Sequence, residues 1–160
     1  GLLTPVSIVF SSVPVVALIP ILSRLFGYGT GTVLAIVAIL TFFPFFVFVS
    51  SGLRALPPGA DNVFTVFGAS RFDRLLRLAV PAAVPNWAVA LRITAPGSIL
   101  AAMVGEFLMK TGGIGNLLST AADGFRTELA IGASLVATAA SMVLFSICRL
   151  VENKVHADWT

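Results

Sequence analysis

The side chains able to do chemistry in this chain are few, and their placement argues against catalysis. There is one cysteine, Cys148, inside an apolar run, and one histidine, His156, in a polar C-terminal tail. No Ser/His/Asp, Cys/His or paired-carboxylate set can be assembled from the spacing, so neither nucleophilic nor acid–base catalysis has its components. A single cysteine also leaves no disulfide or metal framework. Gly27, Gly29 and Gly31 neither follow a strand nor open a soluble helix, and no GxxxxGK[ST] phosphate loop occurs. What remains is charge, concentrated in one polar segment, Asp61 to Pro81, which reads DNVFTVFGASRFDRLLRLAVP. Its chemistry is recognition rather than reaction.

The spacing in that segment predicts helix, glycine break, helix, proline. Pro57 and Pro58 end the preceding apolar span, and Asp61 is placed to cap a short helix that includes Phe64 and Phe67. Gly68 falls where a helix terminates through a left-handed residue. Ser70 with Asp73 three positions on makes a capping-box-like start, and Pro81 bars continuation of the second helix while suiting the start of the next. At about 100° per residue, Phe72, Leu75, Leu76 and Ala79 gather on one side, with Arg71, Arg74 and Arg77 opposite. Amphipathicity alone is compatible with a basic helix lying on anionic headgroups. The glycine-to-proline spacing favours a docking element instead.

The elements around this segment belong in lipid. Of 160 residues 58% are hydrophobic and 11% are charged, and the mean hydropathy is +1.02, outside the range of soluble domains. The net charge of +3 comes from a few basic residues beside apolar runs, which suits membrane topology and not nucleic acid. A hydrocarbon core of about 30 Å needs roughly 20 helical residues. Four spans can be marked off: Val6 to Phe26, Thr32 to Leu53, Trp87 to Phe107, and Leu129 to Cys148. The chain begins at Gly1 and is apolar at once, without a signal-peptide pattern, so it reads as a fragment lacking its N-terminus. The fold class expected is an all-α membrane protein, a polytopic helical bundle.

Span three carries charge. Only 13 residues separate Arg92 from Glu106, too few to cross, so at least one of them enters the membrane. Arg92 would lie about 7 Å inside one face and can snorkel back to it. The alternative is that Arg92 lines an aqueous path for an anion. Glu106 and Lys110 are spaced as an i,i+4 pair. Pro96-Gly97 marks a kink, and Ala133, Ala137 and Ser141 give span four a small-residue face. Gly112, Gly113 and Gly115 form a turn before a short helix over residues 116–125. If the polar segment is cytoplasmic, that face holds Arg54, Arg71, Arg74, Arg77, Arg149 and Lys154, against Arg24, Lys110 and Arg126 outside. This bias puts the segment and the C-terminus inside.

Gly68, nine residues, then Leu78-Ala79-Val80-Pro81 resembles the second half of the EAA motif, G-x9-I-x-L-P, of ABC importer permeases. VPVVALIPIL at Val13–Leu22, GASRFDRLLRLAVPAAVP at Gly68–Pro85, ALRI at Ala90–Ile93 and GEFL…GGIGNLL at Gly105–Leu118 are similar to the nitrate/sulfonate/taurine branch. The acidic-Ala-Ala triplet of the motif falls on Asn62, Val63 and Phe64, with Asp61 one place early.

The resemblance implies a permease subunit, residues 1–160 forming one transmembrane domain and residues 61–81 its cytoplasmic coupling segment. Asp61, Gly68, Arg71, Arg74, Leu78 and Pro81 would couple to a separate ATPase, and Arg92 is a candidate for the translocation path. Such a subunit has no catalytic residues, cofactor or metal. It sits in the bacterial inner membrane with cytoplasmic ATPase subunits, an extracytoplasmic solute-binding protein and a second permease copy as partners. The outer partner would meet the Lys110–Glu128 loop. A rival class is an ion-driven secondary transporter or channel, which calls for buried ionisable residues near the midplane or an inverted repeat. Spans two and four have no such residues, and no repeat is visible. A membrane anchor without transport would leave the Gly68–Pro81 pattern as coincidence.

Overall fold

The computed structural model describes residues 15–159, which are helical apart from short connections. The elements are α1 (Val15–Phe26), α2 (Thr30–Arg54), α3 (Ala60–Val66), α4 (Arg71–Arg74), a π-helical turn (Leu75–Ala79), α5 (Val80–Met109), α6 (Ile114–Asp123) and α7 (Thr127–Trp159). No strand occurs among the described residues, as an all-α membrane bundle requires. In lipid a helix satisfies all its own backbone groups, which is why uninterrupted apolar runs adopt it.

Three helical stretches among the described residues are long and apolar enough to cross a bilayer: Thr30–Arg54, Arg71–Met109 and Thr127–Trp159. The described part of the first expected span, α1, has 12 residues, about 18 Å at 1.5 Å each, and is too short to cross alone. The Val6–Pro14 part of that expectation lies outside the described residues.

The bundle is built on close contacts between small residues. α2 and α5 run antiparallel, and glycines mark where they nearly touch. A Cβ at Gly52 would lie 2.6 Å from Asn86 Cβ, and one at Gly105 would lie 3.0 Å from Ile36 Cδ1. Ala83, Ala88, Ala90, Thr94 and Ala101 of α5 are buried, as is Ile36. On α7, Ala133 and Ala137 are buried and Ser141 is half-buried, as its small-residue face predicts. Phe42, Leu100, Leu135 and Met142 point outward and are exposed. Lipid tails solvate these as well as a core would, so dispersion between closely packed backbones has to hold the helices together. The hydroxyls of Thr41, Thr94, Ser134, Thr138 and Ser146 donate to carbonyls four residues back, so none of them opposes this packing.

Two expected boundaries differ. The helix that begins at Arg71 does not stop before Pro81; it runs unbroken for 39 residues to Met109. Pro81 lacks an N–H, and its ring would meet the carbonyl of residue 77 in a regular helix. The π turn relieves this: the Val80 N–H donates to the Leu75 carbonyl, five residues back, so the helix widens one turn before the proline. Nor does the helix of span four end with the apolar run at Cys148. α7 continues to Trp159, since no glycine or proline interrupts it and Glu152 is buried on its inner face.

The C-terminal part of α7 lies beside the start of α5 and the second half of α2. Phe45, Trp87, Leu91, Val151 and Val155 line a shared apolar groove of about 250 Å³. The 60–79 hairpin and the C-terminus are therefore at one end of the bundle. Tyr28 and the Lys110–Gly112 turn meet at the other, around a cavity of about 780 Å³ that Glu106 also lines.

Candidate functional site

The polar segment folds as a helical hairpin closed by local capping. α3 begins two residues earlier than a cap at Asp61 predicts: Gly59, in the left-handed region at φ 79°, is its N-cap. Asp61 therefore sits inside the first turn, where the helix dipole still favours a carboxylate. Gly68 has the left-handed backbone its position called for, at φ 69°. Around it the Gly68 N–H donates to the Thr65 carbonyl and the Ala69 N–H to the Phe64 carbonyl, each at 3.0 Å. This is a Schellman closure, and it satisfies carbonyls that the end of α3 would leave orphaned.

Ser70 then caps α4. Its hydroxyl accepts from the Asp73 N–H at 3.1 Å and donates to the Asp73 carboxylate at 2.5 Å. The Ser70 hydroxyl is the main reason the Asp73 carboxyl lies below its ordinary range; Arg77, with Nε 3.7 Å from Asp73 Oδ1, lowers it further.

The three arginines have different partners. Arg74 Nη1 donates to Asp61 Oδ1 at 2.9 Å and to Thr65 Oγ1 at 3.1 Å, so this guanidinium ties α4 back onto α3. Arg77 leans on Asp73 one turn earlier. Arg71 is exposed and makes no ion pair among the described residues. Leu78 and Pro81 are half-buried where the helix enters the bundle. The outward surface of the hairpin is apolar: Val66 is 85% exposed and Phe67 83%, with Val63 and Phe72 also exposed. A cleft of about 490 Å³ opens between the two helices, lined by Val63, Phe64, Phe67, Ala69, Asp73 and Arg77. Exposed aromatics thus stand beside cationic side chains at this end of the bundle.

Elsewhere the charges pair in ways spacing did not reveal. Arg92 on α5 faces Glu152 on α7, with Nε 2.9 Å from Oε2, and its guanidinium lies 5.8 Å from the centre of the Phe145 ring. Glu106 and Lys110 do not form the expected i,i+4 pair. Lys110 is the left-handed C-cap of α5 at φ 51° and turns to Asp123, 2.6 Å away. Glu106 instead accepts from the Gly115 N–H at 2.8 Å, capping the start of α6. A Cβ at Gly113 would strike this carboxylate, and one at Gly115 the Met103 carbonyl, so both glycines are there for space. The Gly-Gly-x-Gly run was the visible signal; its partner nine residues upstream was not.

The sequence matches, over residues 1–156, the family described as binding-protein-dependent transport system inner membrane component. A formylaminopyrimidine transport permease protein of Halalkalibacterium halodurans is 34% identical over 111 residues, 69% of this chain and 44% of that protein. A probable ABC transporter permease protein of Haemophilus influenzae is 30% identical over 154 residues, 96% of this chain and 63% of its own length. A nitrate import permease protein of Synechococcus elongatus is 28% identical over 153 residues, 93% of this chain and 53% of that protein. The chain thus spans between two fifths and two thirds of the length of these relatives.

Proposed function

The chain belongs to the inner-membrane components of binding-protein-dependent transport systems, and from that premise we propose that it is part of the permease subunit of an ATP-driven importer. The reading makes residues 1–160 one transmembrane permease domain and residues 61–81 its coupling segment. It gives the chain no ATPase activity of its own, and takes the energy from a separate ATPase docked on the 60–79 hairpin. A solute-binding protein would deliver cargo at the opposite end, near the Lys110–Glu128 stretch, and a second permease copy would complete the pathway. Nitrate, sulfonates and formylaminopyrimidine are named for its relatives, and a small polar solute is the class proposed here.

One observation carries this reading: the second helix of the hairpin, α4, is continuous with α5, through the π turn, without a flexible joint. A push on Arg71 therefore reaches a membrane-crossing helix as a rigid displacement, and one on Phe67 reaches it through the Gly68 closure and the Arg74–Asp61 tie, which is what coupling needs. In this role Gly68 sets the angle between the short helices, Arg74 and Asp61 hold them together, and Leu78 and Pro81 fix the hairpin to the bundle. Arg71 is left to meet an acidic patch on the ATPase. An ion-driven transporter would place its ionisable residues free along a cavity; Arg92 and Glu152 instead neutralise each other.

The test uses the full-length permease with its ATPase. Phe67→Asp and Arg71→Glu should each leave the protein in the membrane and sharply reduce ATPase co-purification, since charge mismatch at a docking surface typically costs several kcal/mol. Full retention of the ATPase by both variants would overturn the docking role. Orientation is tested by thiol labelling. Ser70→Cys and Lys154→Cys should be shielded from impermeant reagents in intact cells and Gly112→Cys labelled, Gly112 having open space for a side chain. External labelling at position 70 would reverse the assignment.

A further inference from the structure

We infer that the Arg92–Glu152 ion pair is a pin joining the C-terminal part of α7 to the coupling half of α5, so that the two move as one body when the ATPase closes. The inference rests on the permease reading above.

The Glu152 side of the pair is buried, while Arg92 keeps 31% of its side chain exposed. Glu152 is 8% exposed, and Arg92 Nε and Glu152 Oε2, 2.9 Å apart, are both out of contact with solvent; their contact is ionic without hydrogen-bond alignment, and no other group bonds to either atom. The Phe145 ring, from the same helix as Glu152, covers the guanidinium. An anion approaching Arg92 would meet a guanidinium whose charge Glu152 already offsets at Nε, which favours a holding role over a translocation role. Separating the charges would leave the buried Glu152 carboxylate unpaired, a heavier cost than losing a surface pair.

Its position in the helix gives the pin its effect. From Arg71 to Arg92 the helix is continuous with the docking hairpin. Pro85, before the pin, also lacks an N–H, but Ala83 and Ala88 around it are buried in the bundle; beyond Arg92 comes Pro96, which has no N–H to offer the Arg92 carbonyl, and directly after it Gly97, where nothing lies within 4 Å of a Cβ. The compliant point of α5 thus lies just past the pin. The docking half of α5 carries α7 with it, while the other half can lag. Packing farther along α7, through Ala133, Ala137 and Cys148, does not depend on the ion pair. Variants that break the pair should therefore keep the helices assembled.

The experiment places spin labels at Ser70→Cys and Lys154→Cys, in a Cys148→Ser background, in the full-length permease–ATPase complex. The distance is read with and without a non-hydrolysable ATP analogue. With Arg92 and Glu152 intact the 70–154 distance should be the same in both states. In R92Q or E152Q it should become nucleotide-dependent, by up to about 5 Å, the scale of a one-turn slip between helices. The charge swap R92E/E152R should restore the constant distance. A merely structural pair would lower the yield of complex and leave the distance unresponsive to nucleotide in every variant, and that result overturns the pin. So does a nucleotide-dependent distance with the pair intact, or a swap that fails to restore. If the unmodified permease retains no ATPase at all, the coupling reading itself fails and the pin goes with it.

Discussion

Replacing Gly68 isolates the backbone conformation on which the docking hairpin depends. The residue sits at φ 69°, and nothing lies within 4 Å of the Cβ a larger residue would carry. The cost of substitution is therefore torsional and not steric. A non-glycine residue held in the left-handed region costs about 1–3 kcal/mol, alanine at the low end and a β-branched residue at the top. Asparagine tolerates the region and should cost least.

Opposing this are the interactions that close the hairpin. The two 3.0 Å capping hydrogen bonds contribute about 1 kcal/mol each. The half-exposed Asp61–Arg74 pair contributes roughly 0.2–1 kcal/mol after solvent screening. Together they favour the hairpin by about 2–3 kcal/mol. Gly68→Ala then leaves at least about half the molecules in the docking-competent form, and affinity for the ATPase falls by no more than about twofold. Gly68→Val leaves roughly 15–50% competent, a loss of about two- to sixfold. The assay is titration of purified ATPase against the full-length permease in lipid nanodiscs, with Gly68, Asn, Ala and Val variants side by side. The expected order of affinity is Gly, Asn, Ala, Val. A valine variant binding as tightly as glycine would refute the conformational argument. An asparagine variant as weak as valine would show that the side chain, not the φ angle, is what matters.

Three further outcomes follow from the geometry. In a double-mutant cycle, Asp61→Asn and Arg74→Gln should show a coupling of about 0.2–1 kcal/mol in ATPase affinity, whereas Asp61→Asn with Arg71→Gln should be additive. Ser70→Ala removes the largest influence holding the Asp73 carboxyl below its ordinary range, so its titration, followed by carboxyl carbon NMR, should move upward. Because that pKa is depressed in the fold, the contribution of Asp73 to capping is complete above the ordinary carboxylate value and is lost as pH falls through the lowered one. No change between pH 6 and 8 is expected (~two units above the ordinary value), and a transition there would contradict the assignment. Gly115→Ala drives a methyl into the Met103 carbonyl and should destabilise by about 1–3 kcal/mol or more. Gly97→Ala meets open space in a helix and should be neutral, or stabilising by up to about 1 kcal/mol. Thermal unfolding in detergent separates the two glycines.

What the sequence made legible was local. α2 matches its expected span to within two residues at either end, because only its own apolar length decides whether it is a helix in lipid. Gly68 and the Ser70–Asp73 cap were readable because the groups that satisfy them lie within five residues. The misjudged features are those in which a local rule met a neighbour. Pro81 breaks a helix by rule, yet one wider turn placed before it lets the helix continue.

Charge pairing was the least legible, and Lys110 shows why. An i,i+4 pair exists only while both residues share a helix, and α5 ends at Lys110 in a left-handed turn that swings the ammonium toward Asp123. Glu106, released from that pairing, is the nearest carboxylate to the amide-rich start of α6. Asp61 and Arg74 are 13 residues apart and meet only once Gly68 has set the hairpin angle. Arg92 and Glu152 meet only through the crossing of two whole helices. The arginine stripe read from the periodicity of residues 71–77 is real as a spacing, but two of its members are already engaged by carboxylates of the hairpin. Arg71 lacks such a carboxylate among the described residues. It is therefore the residue of the stripe whose charge reversal should weaken docking without first loosening the hairpin that presents it.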